Sequence, residues 1–211
     1  MSRLSRLIAA AIFVVSPVSG VADEAADLAK QLSNPISSLI SVPLQYNYDR
    51  GMGATGTGHR QTLNIQPVVP ISTGQDWNLI SRTIIPVIRQ KDVVPGTRRS
   101  GVGDIVQSFF FSPKAPTAGG LIWGAGPVLL LPTHSKVSGR QAAAGITAVG
   151  LKQAGPWTYG ALANHLWSIG ETRNSGTRIS STFFQPFVSY STPDAWTFTL
   201  NSETTYDWIG D

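Results

Sequence analysis

The stretch WTFTLNSETTYDW, residues 196–208, alternates strictly. Trp196, Phe198, Leu200, Ser202, Thr204, Tyr206 and Trp208 fall on one face, and Thr197, Thr199, Asn201, Glu203, Thr205 and Asp207 on the other. Side chains of a strand point to opposite faces in turn, so period two with one apolar and one polar side is the strand signature. The run is also long. A soluble strand is typically about five or six residues, whereas a tilted membrane-spanning strand needs roughly 9–11.

Upstream, the same pattern recurs. Leu63, Ile65, Pro67, Val69 and Ile71 oppose Thr62, Asn64 and Gln66, and Ile40, Val42, Leu44, Tyr46 and Tyr48 oppose Ser41, Gln45 and Asn47. Nine such segments are expected, at 38–48, 60–71, 77–90, 102–111, 121–132, 142–152, 157–169, 180–190 and 196–208. Clusters of Gly, Pro, Ser, Asn and Asp separate them. The segments at 77–90, 102–111 and 142–152 do not choose a face. Pro43, Pro67, Pro70, Pro86, Pro127 and Pro186 interrupt segments, and a proline gives no ladder hydrogen bond, so bulges or broken ladders are expected. Gln66-Pro67 and Gln185-Pro186 precede Trp77 and Trp196 by the same spacing, a weak internal repeat.

The links alternate between short and long. STGQD (72–76), QAGP (153–156) and STPDA (191–195) are short, SPKAPTAGG (112–120) is intermediate, and the links after the first, third, fifth and seventh segments are longer. Bacterial outer-membrane barrels combine short periplasmic turns with longer external loops. Trp77, Trp157 and Trp196 follow short links and Trp123 lies just inside its segment. Trp167 and Trp208, with Tyr46, Tyr48 and Tyr206, fall at opposite ends. Two aromatic belts at the headgroup levels would look like this. The expected fold is all-β, an antiparallel up-and-down transmembrane β-barrel. Asn64, Gln66, Arg82, Asn201 and Glu203 are candidates for a polar, hydrated lumen. Trp77, Trp123, Trp157, Trp167, Trp196 and Trp208 are candidate interface aromatics.

Composition narrows the alternatives. Charged residues make up 13% of the chain and there is no cysteine, which excludes disulfide scaffolds, Cys-ligated metal and thiol catalysis. The formal charge is +4, and no clustered basic run suggests nucleic acid. Arg3 and Arg6, the apolar run Leu7 to Val15, and Pro17, Ser19, Gly20 and Ala22 read as an export signal spanning 1–22. Together with the strand pattern, this gives the expectation that the mature chain lies in the bacterial outer membrane, inserted by the barrel-assembly machinery, with outer-membrane lipid as its surroundings. Residues 23–37 read as a periplasmic segment containing a short helix at Asp23–Leu32, and 38–211 as the barrel domain.

No catalytic, cofactor or metal site is expected. Gly51, Gly53 and Gly56 match the G-x-G-x-x-G spacing of a dinucleotide fingerprint, but a strand rather than a helix is expected to follow, so a loop is the better reading. His59, His134 and His165 lack the i, i+4 spacing of a helical zinc pair. His165 within its strand is the one candidate base for an outer-membrane lipid hydrolase, one alternative function. A soluble periplasmic β-sandwich or lipocalin-like binder is the other. The long loops are rich in basic residues: Arg50, Arg60, Lys91, Arg98, Arg99, Lys136, Arg140, Arg173 and Arg178 against Asp49, Asp92 and Glu171. They suggest contact with anionic lipid headgroups or attraction of anionic solutes.

The segments DRGMGATGTGHRQTLNIQPVVPIS, GQDWNLISRTIIPVIRQ, GVGDIVQSFFFSPK, GGLIWGAGPVLLLPT and GPWTYGALANHLWS carry a further signal. Over residues 34–208 the chain resembles a family of bacterial outer-membrane proteins linked to the meta-cleavage pathway of phenol degradation. The resemblance implies a transport role for small, hydrophobic or aromatic compounds, and supplies no catalytic motif. Family members continue past the YDW motif with further strands. The expectation is therefore a C-terminally truncated version of a barrel of about twelve strands.

Overall fold

The computed structural model describes residues 6–7, 22–170 and 178–209. The export-signal reading otherwise lies outside the described residues, as do Glu171 and Arg173 of the seventh link. The elements are β1 (Arg6–Leu7), α1 (Ala22–Leu32), β2 (Leu44–Met52), β3 (Gly58–Ile65), β4 (Val68–Ser72), β5 (Trp77–Lys91), β6 (Arg98–Val102), β7 (Ile105–Pro113), β8 (Leu121–Leu131), β9 (Ala143–Ala154), β10 (Trp157–Ser168), β11 (Ser180–Ser191) and β12 (Thr197–Asp207). Pairing runs β12-β11-β10-β9-β8-β7-β5-β3-β2, with β4 and β6 continuing the lanes of β3 and β7 beside β5, and β1 against β12. Every pairing is antiparallel. The result is a nine-lane up-and-down sheet curled into a half-barrel, as the alternation predicts. Among the described residues no backbone pairing joins β2 to β12.

Prolines and glycines decide where the lanes break. Around Pro43 the first lane is irregular, held by the isolated Ser41–Val68 bridge and by the Gln66 amide donating to the Pro43 carbonyl at 2.9 Å. Pro67 separates β3 from β4 without changing register, since Ile65 faces Ile85 and Val68 faces Arg82. At Pro86 the change is larger. Val87 faces Val102 while Ile84 faces Val106, so one extra residue is accommodated at Gly103–Asp104, where the Gly103 amide donates to the Pro86 carbonyl at 2.7 Å. The missing proline donor thus coincides with a bulge.

Two of the longer links are shorter than expected. β2 runs on to Met52 and β3 begins at Gly58, while β6 begins at Arg98 just after β5 ends at Lys91, leaving only 53–57 and 92–97 as loops. Gly51, Gly53 and Gly56 all have positive φ, which L side chains rarely adopt, and they turn the first loop tightly. The loop leads into strand β3, so the glycine triplet has no helix to present to a phosphate.

The three ambiguous segments are apolar on both faces for one reason. Across β5 and β7–β10 the concave face is packed. Ile80, Phe110, Val149, Leu151 and Leu162 are buried together with Val68 and Ile36, and Phe183, Phe187 and Ile122 pack against them. Ile36 comes from the segment after α1 and reaches this wall because Gly124 has no side chain: a Cβ there would stand 3.3 Å from Ile36 Cδ1. Val128, Ala143 and Leu166 form a second cluster nearer the long loops. The expectation of a polar interior therefore needs correction on this side, where the concave wall is apolar.

Candidate functional site

Register assigns each side chain to a face. Asn201 opposes Phe187, which opposes Gly160, which opposes Leu151, and these point to the concave side. On the other half of the sheet Gln45, Asn64 and Pro86 share a row, as do Val68, Arg82 and Ser108. Asn64, Gln66, Arg82, Asn201 and Glu203 all lie on this concave face.

Four of them are joined in one polar cluster. Arg82 Nη2 donates to Gln66 Oε1 at 2.7 Å, and Gln66 Nε2 donates to Gln45 Oε1 at 2.8 Å. Gln185 Nε2 and Asn201 Nδ2 both donate to Glu203 Oε1, at 3.0 and 3.3 Å. Arg82 and Glu203 interact electrostatically, which couples the two groups across the gap between β2 and β12. Asn64 stands in register with Gln45 beside the cluster. Gln45, on the polar face of its segment, and Gln185, in the Gln-Pro repeat, were not among the lumen candidates. The Gln-Pro repeat did carry a signal, because Gln66 and Gln185 are the residues that bond the arginine and the glutamate. Taking a charge partly out of water costs free energy unless hydrogen bonds replace its lost hydration, and these amides supply some of them.

Beside the cluster is a cavity of about 240 Å³, bounded by Leu28 and Leu32 of α1, by Leu162 and Phe187, and by Gln66 and Asn201. The helix lies over the short-turn end of the concave face. Gln153 Nε2 donates to the Lys30 carbonyl at 3.0 Å, Ser33 Oγ donates to Thr158 Oγ1 at 2.9 Å, and Ile36 anchors the segment in the apolar wall. One wall of the space is thus apolar and the opposite one polar, closed below by a short helix.

The convex face is different. Leu44, Tyr46, Phe184, Phe198 and Leu200 are exposed there, Leu200 to 66%. Trp77, Trp123, Trp157 and Trp196 stand at the short-turn end, with Trp77 and Trp123 edge-to-face at 6.0 Å, and Trp167 and Trp208 stand near the long loops. On β10 the outward row runs from Trp157 to Trp167. Ten residues of strand at a typical barrel tilt give a height of roughly 25 Å, the height of an apolar membrane band.

His165 also faces outward. Its Nδ1 lies 2.7 Å from Thr182 Oγ1, its ring centroid is 4.1 Å from that of Trp167, and Nε2 is buried without a hydrogen-bond partner. Thr182 in turn accepts from Trp208 Nε1 at 2.9 Å. A hydrolytic triad needs a carboxylate or equivalent to orient the imidazole, and none bonds it among the described residues. Nor do His, Asp and Glu gather into a metal-binding group among them.

No protein-family model and no curated protein matches the chain. Among solved structures it is similar to an outer membrane channel from Pseudomonas putida F1, with 12% sequence identity, a TM-score of 0.44, and coverage of 79% of this chain and 92% of that one.

Proposed function

We propose that this chain works as an outer-membrane β-barrel protein through which small compounds pass by diffusion along the concave face. The observation that carries this reading is the distribution of side chains over the sheet. The convex face exposes aliphatic and aromatic residues between two tiers of tryptophan, while arginine, glutamate and four amides are gathered inside. A soluble binding protein would turn the apolar rows inward and cover the outer face with charge, because large exposed apolar patches mark membrane or protein contact. In a bilayer the arrangement is the favourable one: lipid meets the apolar face and the polar groups remain away from it.

The mixed lining supports solutes that are partly apolar. Leu162, Phe187, Leu28 and Leu32 offer a surface for a small ring or short aliphatic chain, and Gln66 and Asn201 offer hydrogen bonds to a polar substituent. Cell fractionation tests the proposal. A carbonate-resistant outer-membrane pellet together with conductance in planar bilayers is expected. Release of the protein by osmotic shock would sink it.

A further inference from the structure

The register of the first four lanes brings basic residues together in a way the linear sequence only suggests. Arg50 of β2 faces His59 of β3, His59 faces Lys91 of β5, and Lys91 faces Arg98 of β6. All four belong to the convex face, because Gln90, the residue next to Lys91, is buried and accepts from Arg60 Nε on the concave side. Adjacent strands are about 4.8 Å apart, so the row extends for roughly 14 Å at a single level. One step lower come Tyr48, Gln61, Arg89 and Ser100, and one step lower again Tyr46, Leu63, Val87 and Val102. Basic groups therefore give way to apolar ones within two rows.

Tyr48 supports the row. The Arg50 guanidinium carbon is 4.9 Å from its ring centroid, and the His59 ring is 5.9 Å from it. The acidic group close by is Asp92, 3.8 Å from Lys91. Asp49, next to Arg50 in sequence, lies in register with Arg60 on the opposite face. Among the described residues the short-turn end has no matching row. There Lys114 Nζ donates to Ser72 Oγ and to the Gly74 carbonyl, which ties it to its own turn.

We infer that Arg50, His59, Lys91 and Arg98 form a docking surface for the phosphate-bearing headgroup of an outer-leaflet lipid, whose acyl chains lie along Tyr46, Leu63 and Val87. A cationic row directly above an apolar surface matches an anionic headgroup above hydrocarbon, in charge and in order. A soluble anion would use the cations and leave the apolar rows below them unused. This inference rests on the outer-membrane reading.

The test refolds wild type, R50Q/K91Q/R98Q, R98Q and K152Q into phosphatidylcholine vesicles, with and without added lipid A. Gel migration with and without heating reports folding. Native mass spectrometry after extraction reports lipid A retained per protein. Wild type and K152Q are expected to retain lipid A, the triple variant at least roughly tenfold less and R98Q an intermediate amount, since each basic residue near an anionic surface adds to the attraction. Retention by wild type is expected to fall as salt rises. Folding with equal retention in wild type, R98Q and the triple variant would overturn the docking surface and leave the membrane reading intact. Failure of wild type to insert into either vesicle would overturn both.

Discussion

The Ser33 hydroxyl lies 2.9 Å from the Thr158 hydroxyl, and this bond fastens the segment after α1 to the first turn-side residues of β10. The chain has no native cysteine, so the pair can be probed cleanly. Oxidised S33C/T158C is expected to form an intramolecular disulfide, because the two side chains already meet at a separation that a modest adjustment converts to bonding geometry. The check is a faster band on unreduced gels, reversed by reductant and missing from either single variant. If no crosslink forms in folded protein, α1 does not occupy the short-turn end of the concave face.

Phe184 is exposed on the convex face opposite Ala163, between the two ends of the Trp157–Trp167 row. Phe184→Arg is expected to cost about 2–4 kcal/mol in lipid vesicles, the cost of an arginine near the bilayer midplane. On a surface facing water such a change stays within about 0.5 kcal/mol. Urea titration of vesicle-folded protein distinguishes the two values.

Arg82 and Gln66 supply a third check. Gln66→Leu removes an acceptor of the half-buried Arg82 guanidinium, and hydrogen bonds to charged groups contribute up to roughly 1.5–3 kcal/mol. Removing the charge as well, in R82M/Q66L, is expected to recover part of the loss, so the double-mutant cycle shows a coupling energy of the same order. Independent, additive losses would show that the pair is not a unit.

Gly145 has no room for a side chain. A Cβ there would collide with the His165 carbonyl of the neighbouring strand. Gly145→Ala is expected to lower the folded fraction, seen as heat-modifiable migration, by forcing β9 and β10 apart. Gly119→Ala, whose Cβ would meet Thr117 Oγ1 only at 4.0 Å, is expected to be neutral.

The fold was legible wherever one face of a strand was polar. The alternation at 196–208 leads directly to β12, and the Leu63–Asn64 pattern to β3. It fails on β7 and β9 for a physical reason: Phe110 and Val149 pack inside against Ile36 while Phe111 and Ile146 are exposed outside. A strand apolar on both sides has no phase to read. The apolar wall also depends on Ile36, a contact between distant segments that no local pattern announces. Arg82 and Glu203 stood out as charges within strands, but Gln45 and Gln185 became informative only when the sheet's curvature brought β2 and β12 to face each other.

That gap obeys a parity rule. Leaving aside the two-residue β1 paired to β12, eight antiparallel steps separate β12 from β2 along the sheet, so these two long strands point the same way. Stitching them directly would need the slanted hydrogen bonds of a parallel ladder, a pattern found in none of the pairings above. Any insert that keeps neighbours running in opposite directions must contain an odd number of strands. Whatever completes the circumference, the arithmetic of direction restricts it to these two solutions.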